Sequence, residues 1–261
     1  MEIDTILTNE INFLDNECAV LLSGGVDSIS VAFGAHRLGK RITAYSFCLD
    51  TNVSYDYVKA EMVAEIMGWD FVGIKIPTAN LVDDWHRLVE LGCKKKTHYE
   101  CVYPFLYVYP KIKEKYVLSG WAADGYYGLS KKAKINYSQT KELQVEFMDN
   151  YFRKENQAGY LWHKKIVDDY KKILITPYLT QPVKEYFYKR DWVQLNKPKQ
   201  KNDVRQSFKE FELIGKVKNH SNLQLESRID KLFERLLDNR EINYNFRKTM
   251  MWVCWDWKNT R

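Results

Sequence analysis

The sequence has neither paired cysteines nor a long apolar run, and each absence excludes a class of protein. Its five cysteines are scattered and never form a C-x-x-C pair, which excludes a disulfide framework and a zinc ribbon, so we expect reduced thiols. No apolar run approaches the roughly 20 residues that span a bilayer. The first ten residues, MEIDTILTNE, are acidic where a signal peptide needs basic residues. We therefore expect a cytoplasmic protein without a membrane partner.

Linkers, repeats and low-complexity tracts are also missing, so we predict one domain over residues 1–261. With 45% hydrophobic and 15% aromatic residues, the chain can bury a substantial core. Lys and Arg outnumber Asp and Glu by 40 to 34. The resulting charge of +6 suits anionic partners such as phosphates, but it falls short of the charge typical of nucleic-acid-binding proteins.

Four short apolar runs rich in β-forming residues predict buried strands at residues 17–22, 42–49, 70–76 and 115–119. Between them, apolar residues recur at helical spacing, and glycines follow two of these helices. Strands that alternate with helices predict an α/β fold, with a parallel sheet covered by helices on both sides. Ligands of such sheets bind at the carboxyl ends of the strands.

Strand signals fade beyond about residue 140, and the clearest later pattern is helical. Ile229, Leu232, Phe233, Leu236 and Leu237 form one apolar stripe. We therefore divide the domain into an α/β core at about 16–190 and a helical C-terminal part at about 191–261.

The stretch LLSGGVDSIS, residues 21–30, joins the first predicted strand to a helix predicted at about 28–38. Two adjacent glycines, Gly24 and Gly25, let the main chain come close to a ligand. Successive N–H groups at the start of a helix form a cradle for an anion. The hydroxyl of Ser23 could add a donor.

Asp27 is the unexpected member of this stretch, because a carboxylate repels a phosphate unless a divalent cation lies between them. Its presence therefore indicates a Mg²⁺ ligand. The alternative is an ordinary turn, since Ser, Gly and Asp are common turn residues. A complete S-G-G-x-D-S between a strand and a helix is much more restrictive than any one of these residues, so we favour a phosphate site.

SGGVDS resembles the pyrophosphate loop of the N-type ATP pyrophosphatases, enzymes that cleave ATP between its α and β phosphates and pass AMP to an acceptor. LSGWAADGYYG (118–128) resembles the second motif of the asparagine synthetase synthetase domain, L-S-G-E-G-A-D-E-x-x-x-G. ITPYLTQPVKEYF (175–187) and KNDVR (201–205) resemble its R-x-P-F-L-D and K-x-x-L-R segments. The similarity spans roughly residues 17–210. It implies a parallel, five-stranded, doubly wound sheet of the adenine nucleotide alpha hydrolase-like type.

The resemblance also implies ATP and Mg²⁺ as cofactors, with Asp27 and Asp124 as the metal ligands. Asp124 is implied in catalysis together with Lys201 and Arg205, whose spacing predicts that both cations lie on one face of a helix. A turn aspartate and a solvated basic surface are the alternatives for these residues. The implied nucleotide-binding residues are Leu22, Ser23, Gly24, Gly25, Val26, Asp27, Ser28, Phe47, Leu49, Ser119 and Gly120. The apolar members of this set fit a core equally well.

Three positions depart from the family pattern. Trp121 replaces the first Glu of the second motif, Gly125 replaces the Glu after Asp124, and Thr180 replaces the Asp of the third motif. In asparagine synthetases the first of these glutamates lies near the incoming nitrogen nucleophile, while β-lactam synthetases carry Tyr there. These departures argue against aspartate as the substrate. The sequence also has no Cys at position 2 and no glutaminase domain before the loop.

We therefore expect an amide-forming synthetase that adenylates a small carboxylic acid and passes the acyl group to an amine or to ammonia. A separate glutaminase or amine-donor protein is an expected partner. Two alternatives stay open. One is an enzyme of the same family that adenylates a nucleobase or tRNA, and the other is a nucleotide-binding protein whose chemistry has lapsed.

Other residues carry weaker signals. With Trp121 in place of Glu, the candidates for accepting the proton of the amine are Tyr126, Tyr127, His98 and Glu100, although packing explains each as well. The basic run 94–101 could contact the acceptor, but a charged surface loop is the preferred interpretation. The aromatic segment MMWVCWDW near the C-terminus could stack on bases. Its tryptophans at 252 and 255 are spaced as one helical face, which favours burial.

Overall fold

A computed structural model of the chain describes residues 1–93, 96–153, 157, 159–217 and 223–238. The strands are β1 (Glu17–Leu21), β2 (Arg41–Leu49), β3 (Asp70–Ile76), β4 (Tyr116–Ser119) and β5 (Ile173–Ile175). The helices up to β4 are α1 (Ile3–Asn9), α2 (Val26–Arg37), α3 (Tyr55–Met67), α4 (Leu81–Glu90), α5 (Lys96–Val102) and α6 (Phe105–Val108). Those after β4 are α7 (Ala123–Tyr127), α8 (Lys131–Tyr137), α9 (Lys141–Tyr151), α10 (Tyr160–Asp169), α11 (Gln181–Tyr188), α12 (Trp192–Asn196), α13 (Asn202–Ser207), α14 (Leu223–Glu226) and α15 (Ile229–Asp238).

The five strands form one sheet in the order β3-β2-β1-β4-β5, and every neighbouring pair is parallel. The chain first builds outward from β1 to β3, and then crosses back to add β4 on the other side of β1. This reversal creates a crevice between the carboxyl ends of β1 and β4, which is the usual ligand position in an open parallel sheet. The predicted fold, a parallel five-stranded sheet flanked by helices, is confirmed.

The predicted strands agree with the observed ones to within a residue at each end, and β3 matches its predicted range. The strand that the residue pattern missed is β5. Its three residues are too few to show an alternating pattern, and they lie in the region where strand signals fade. The five-stranded sheet was therefore predictable from the family resemblance and not from periodicity.

Capping residues explain where two helices of the α/β core begin and end. Ser54 caps α3 by accepting a hydrogen bond from the Tyr57 N–H, and Gly68 ends this helix in a left-handed conformation with φ 68°. Helix α2 begins at Val26, two residues before the predicted start. Asp27 therefore lies in the first helical turn, directly at the crevice.

Helices cover both faces of the sheet, as a buried parallel sheet requires. Successive strand residues point to opposite faces, so Val20 lies in one core cluster and Ala19 in the other. Helices α1, α2 and α11 contribute to the first cluster, and helices α4, α5, α6, α10 and α15 contribute to the second. In α15 the predicted apolar stripe is buried at Ile229, Phe233 and Leu236.

Within the part of the chain that the structure describes, none of the helices combines the length and apolarity needed to cross a bilayer. The tryptophans at 252 and 255 lie outside the described residues, as do the first two lysines of the run 94–101.

Candidate active site

A cavity of about 300 Å³ lies at the carboxyl ends of β1, β2 and β4. Every predicted site residue except Leu49 lines it. These are Leu22, Ser23, Gly24, Gly25, Val26, Asp27, Ser28, Phe47, Ser119, Gly120, Asp124, Lys201 and Arg205. The fold thus brings together three motifs that are far apart in the sequence, because parallel strands end at the same edge of the sheet.

Leu49 is placed elsewhere. It is the last residue of β2, is 2% exposed, and packs in the core with Ile74 and Ile76. The chain turns back directly after β2, where the Asn52 N–H donates to the Leu49 carbonyl at 3.1 Å. Leu49 therefore lies in the core and not among the residues that line the cavity. Phe47, two residues earlier, does reach the cavity.

The loop after β1 needs glycine at Gly24. This residue has φ 66°, and a Cβ on it would lie 2.5 Å from the Asp56 carbonyl oxygen on α3. The two serines hold the loop in shape: the Ser28 hydroxyl accepts from the Ser23 N–H at 3.1 Å and lies within 3.1 Å of the Gly25 carbonyl. Their two hydroxyl oxygens are 3.0 Å apart. The serines therefore order the loop through bonds within it.

The N-terminus of α2 points into the cavity. Gly25 is its N-cap and supplies no side-chain capping bond, and the first N–H groups of a helix have no carbonyl partner within it. Gly120, after β4, packs directly against this first turn, because a Cβ on it would lie 2.5 Å from the Ser28 nitrogen. The N–H groups and the helix dipole together suit an anionic ligand.

Lys201 connects the two aspartates that follow β1 and β4. Its Nζ lies 2.5 Å from the Asp27 Oδ2 and 2.7 Å from the Asp124 Oδ1. The lysine side chain is 4% exposed, whereas those of Asp27 and Asp124 are 17% and 42% exposed. One buried cation thus neutralises part of the charge of two carboxylates at the mouth of the glycine-rich loop.

Lys201 and Arg205 both line the cavity, but Lys201 lies at the start of the helix and not within it. Helix α13 begins at Asn202, and Lys201 is its N-cap with a left-handed backbone at φ 58°. The Asn196 Oδ1 accepts a hydrogen bond from the Lys201 N–H at 3.2 Å and helps to hold this turn. Ala122 in the loop after β4 also has a positive φ of 77°. Such conformations cost roughly 1 kcal/mol in residues with a Cβ, and they cluster at functional sites.

The electrostatics of the three charged groups follow from their burial. Burial raises the pKa of Asp27 to about 7, although the Lys201 charge opposes the shift and the Asp124 charge adds to it. Burial alone would lower the pKa of Lys201, but the charges of Asp124 and Asp27 outweigh burial and raise it. The lysine is therefore firmly protonated, while the Asp27 carboxyl holds its proton more tightly than an exposed aspartate does.

Arg205 is held beside this group by backbone carbonyls. Its Nε donates to the Gln200 carbonyl at 3.0 Å, and its Nη2 donates to the Val217 carbonyl at 3.3 Å. Burial lowers the pKa of Arg205, but arginine stays charged at neutral pH. A second cation therefore faces the cavity from α13.

Compared with known protein families, the sequence matches the model of asparagine synthase over residues 13–251. The chain belongs to the asparagine synthase family. The match extends beyond residue 210, where the motif resemblance ended. A comparison with curated proteins found no match. Membership of the asparagine synthase family makes the chain part of a group of ATP-dependent, amide-forming synthetases.

Mg²⁺, which this family resemblance implies, fits the donor set that is present. The Asp27 Oδ1 is buried and makes no hydrogen bond to the described residues. Carboxylate oxygens are the ligands that Mg²⁺ prefers, and phosphate oxygens commonly complete its coordination. The described residues contain no group of three or more metal-ligating side chains. Asp27 and Asp124 would therefore hold the ion only together with phosphate.

Four residues outside the predicted set also line the cavity. These are Cys101 on α5, Phe105 on α6, Trp121 after β4 and Tyr151 at the end of α9. We call these four residues the aromatic subsite. Trp121 was visible in the sequence as a departure from the asparagine synthase pattern, but the others carry no local signal. Leu223 and Gln224 of α14 also line the cavity without a sequence signal.

The four residues considered as proton acceptors do not line the cavity. Tyr126 is 1% exposed and stacks on Phe187, with ring centroids 4.5 Å apart. Tyr127 is fully buried, with its ring 5.4 Å from the Lys201 Nζ. Glu100 is buried, and His98 accepts a hydrogen bond from the Trp162 Nε1 at 3.1 Å. Their positions favour roles in packing.

Proposed function

We propose that this chain uses ATP to adenylate a small carboxylic acid and then transfers the acyl group to ammonia or an amine. The observation that carries the proposal is the Lys201 ammonium group between Asp27 and Asp124, at the mouth of the glycine-rich loop. This arrangement offers a cation, two potential metal ligands and a helix N-terminus around one point. Those are the groups that a departing pyrophosphate requires.

In this proposal the chain binds ATP through its phosphates. The N–H groups at the start of α2 and the charges of Lys201 and Arg205 hold the phosphate oxygens. Gly24 and Gly120 let the two loops pack closely against α3 and against the first turn of α2, because neither position has room for a Cβ. Leu22 and Phe47 line the cavity at the ends of β1 and β2 and offer an apolar surface for the adenine ring.

The first step is attack by a carboxylate oxygen of the acid on the α-phosphorus of ATP. The new oxygen–phosphorus bond forms as the bond from the α-phosphorus to the bridging oxygen breaks, and pyrophosphate leaves with that oxygen. Lys201 stays charged throughout, since two carboxylates raise its pKa, and it stabilises the charge that develops on the leaving group. Bound Mg²⁺ would neutralise further charge on the pyrophosphate, with Asp27 and Asp124 as its protein ligands.

The second step is attack by a nitrogen nucleophile on the carbonyl carbon of the acyl-adenylate. AMP leaves, an amide forms, and the nitrogen gives up one proton. Trp121 provides no carboxylate to accept this proton, so we propose that the nucleophile enters unprotonated and that water takes the proton. The chain mainly aligns the reactants, which lowers the entropic part of the barrier.

Release of pyrophosphate from ATP tests the proposal. The protein is incubated with ATP and Mg²⁺, and with pools of carboxylic acids, amines and RNA, added singly and in pairs. Release that requires an acid and increases with an amine or ammonia is the expected result. Release that depends on RNA would replace the proposal by nucleobase or tRNA adenylation. Tight ATP binding without release under any condition would indicate a nucleotide-binding protein without chemistry.

A matched pair of variants ties the release to the site. Lys201→Ala removes the central cation, while Lys199→Ala removes an exposed lysine two residues away that does not line the cavity. We expect pyrophosphate release to fall by about 100-fold or more in the first variant and to be kept in the second. Equal rates in both would place the activity elsewhere in the molecule or in a contaminant.

A further inference from the structure

We infer that the acid adenylated at this site carries an apolar aryl or alkyl group, and not the charged head group of an amino acid such as aspartate. The inference rests on the proposed function and names its substrate class. It comes from the aromatic subsite, Cys101, Phe105, Trp121 and Tyr151, which lines the same cavity as the charged residues.

The members of the subsite form one continuous surface. Gly159 lies between Cys101 and Trp121, because a Cβ on it would be 3.2 Å from the Cys101 Cβ and 3.8 Å from the Trp121 ring. Phe105 stacks on His163, with ring centroids 3.7 Å apart and an interplanar angle of 2°. His163 in turn meets Trp121 edge-on at 6.5 Å. Helices α5, α6 and α10 thus fix these rings in place.

Tyr151 connects the subsite to the second motif. Its ring packs over Gly125, the residue after Asp124, and a Cβ at position 125 would overlap this ring. The family motif has Glu at this position, and a glutamate side chain could not fit beneath Tyr151. The two departures in the second motif are therefore linked: Gly125 makes room for one ring of the subsite, and Trp121 supplies another.

Cys101 and Tyr151 of the subsite and the histidine behind Phe105 are uncharged at neutral pH. Burial raises the pKa of Cys101 to about 12 and raises that of Tyr151 far above neutrality. Burial lowers the pKa of His163, behind Phe105, to about 3. An ammonium or a second carboxylate on the substrate would find no countercharge among the described residues of the subsite. Burial of such an unpaired charge is costly, whereas burial of an apolar group is favourable.

The position of the subsite indicates that it binds the acid and not the amine. The reacting carboxylate must reach the α-phosphorus beside Lys201 and Asp124. The group attached to that carboxylate then lies against an uncharged surface of the cavity, to which Trp121 and Tyr151 contribute. The Tyr151 ring packs over Gly125, directly after Asp124. An amine arrives only after the adenylate has formed, when this surface is already covered.

The test compares acids with a common nucleophile, hydroxylamine, so that the identity of the natural amine does not affect the outcome. Phenylacetate, benzoate and hexanoate are compared with aspartate, glutamate and glycine through kcat/KM for pyrophosphate release. We expect the best apolar acid to exceed every amino acid by about 100-fold, since pocket complementarity commonly gives 10- to 200-fold discrimination. Preference for an amino acid would overturn the inference and leave the proposed function intact.

Two further outcomes separate the proposals. If none of the acids supports release although ATP binds, the proposed function falls and this inference falls with it. The acids are also tested with benzylamine and ammonia in place of hydroxylamine. A strong gain from benzylamine together with indifference to the acid would assign the subsite to the amine and overturn the inference.

Variants at the subsite provide the second readout. Trp121→Glu places a carboxylate among the rings and should lower kcat/KM for apolar acids by about 30-fold or more, with little change in the KM for ATP. Trp121→Phe keeps an apolar ring and should preserve the order of preference among acids. Leu161→Glu adds the same charge on the exposed side of α10 as a control. Melting temperatures show whether each variant is folded, and unchanged preference in a folded Trp121→Glu would contradict the inference.

Discussion

The charged residues of the cavity, which we call the charged end, and the aromatic subsite are built in different ways. The charged end takes Asp27, Asp124 and Lys201 from three short sequence motifs, each next to a strand end or a helix start. The aromatic subsite takes Phe105 and Tyr151 from helices α6 and α9 and Trp121 from the loop after β4. The charged residues thus belong to positions that match the family's motifs, while Trp121 of the aromatic subsite and Gly125 beneath Tyr151 are departures from them. We infer that chemistry and substrate choice are carried by separate parts of this site.

The largest expected effect comes from Asp27→Asn, which breaks the charged end. Loss of this carboxylate removes a proposed Mg²⁺ ligand and one partner of Lys201, so we expect pyrophosphate release to fall about 1000-fold or more. Steady-state assays at saturating ATP and Mg²⁺ measure the change. Asp15→Asn, at an exposed aspartate before β1, is the control and should retain full activity. Near-normal release in Asp27→Asn would remove this residue from the mechanism.

The same variant also makes a prediction about stability. Because the pKa of Asp27 is raised in the folded protein to about 7, against about 4 in an unfolded chain, the fold holds this proton more tightly. Asp27 therefore favours folding most at low pH, and this contribution is lost as the pH rises from about 4 to 7. Asparagine does not titrate. The melting temperature of the variant relative to the wild type should thus increase across this window, and a decrease would reverse the sign of the pKa shift.

Lys201→Ala should have the next largest effect. Its removal leaves two carboxylates facing each other without their cation. We expect pyrophosphate release to fall by about 100- to 1000-fold, in the range seen when one stabilising donor is lost. The free energy of unfolding should also decrease above pH 7, where both carboxylates are ionised. Added Mg²⁺ should restore part of this stability but not the rate, and full rescue of the rate by Mg²⁺ would show that Lys201 acts only as a counterion.

The contrast between the two ends also explains how much the sequence could predict. Strands were predictable because buried parallel strands are nearly continuous apolar runs, and the meeting of Asp27 with Asp124 followed because parallel strands end at one edge. The cavity-facing position of Lys201 followed from its motif. Its left-handed backbone did not. The i,i+4 spacing of Lys201 and Arg205 suggested a helix that includes Lys201, whereas the observed helix begins one residue later, at Asn202.

Other features had no local signal. Cys101, Phe105 and Tyr151 reach the cavity through the packing of helices α5, α6 and α9 on the sheet, and apolar residues at helical spacing look alike whether they face a core or a cavity. Leu49 shows the same ambiguity in the opposite direction. Its position at the end of β2 suggested a ligand contact, but a turn at Asn52 keeps it in the core. Which apolar side chain meets ligand is decided by tertiary packing.

Arg205→Gln should have a moderate effect. It tests whether Arg205 acts together with Asp27, Asp124 and Lys201. The guanidinium is held by the carbonyls of Gln200 and Val217, and its charge faces the cavity. We expect kcat/KM for ATP to fall by about 10-fold, less than for Lys201→Ala. Arg205→Lys keeps the charge but not the planar fork, and should fall between the two. Arg41→Gln, at a 72% exposed side chain, is the control.

The smallest effect is expected for Tyr126→Phe. This variant tests whether a residue outside the cavity accepts the proton of the amine. Tyr126 follows Gly125 in the second motif, but its ring points into the core, where it packs between Phe152 and Phe187 at centroid distances of 4.4 and 4.5 Å. Burial raises the pKa of this phenol well above neutrality, so it is a poor proton acceptor. Phenylalanine keeps both ring contacts. We therefore expect kcat for amide formation to change by less than about 2-fold, with the same pH profile, because a base that cannot ionise contributes nothing to the rate. A 10-fold loss of kcat with unchanged pyrophosphate exchange would place the proton acceptor of the second step at Tyr126 and would extend the reacting end of the site into the core beneath α7.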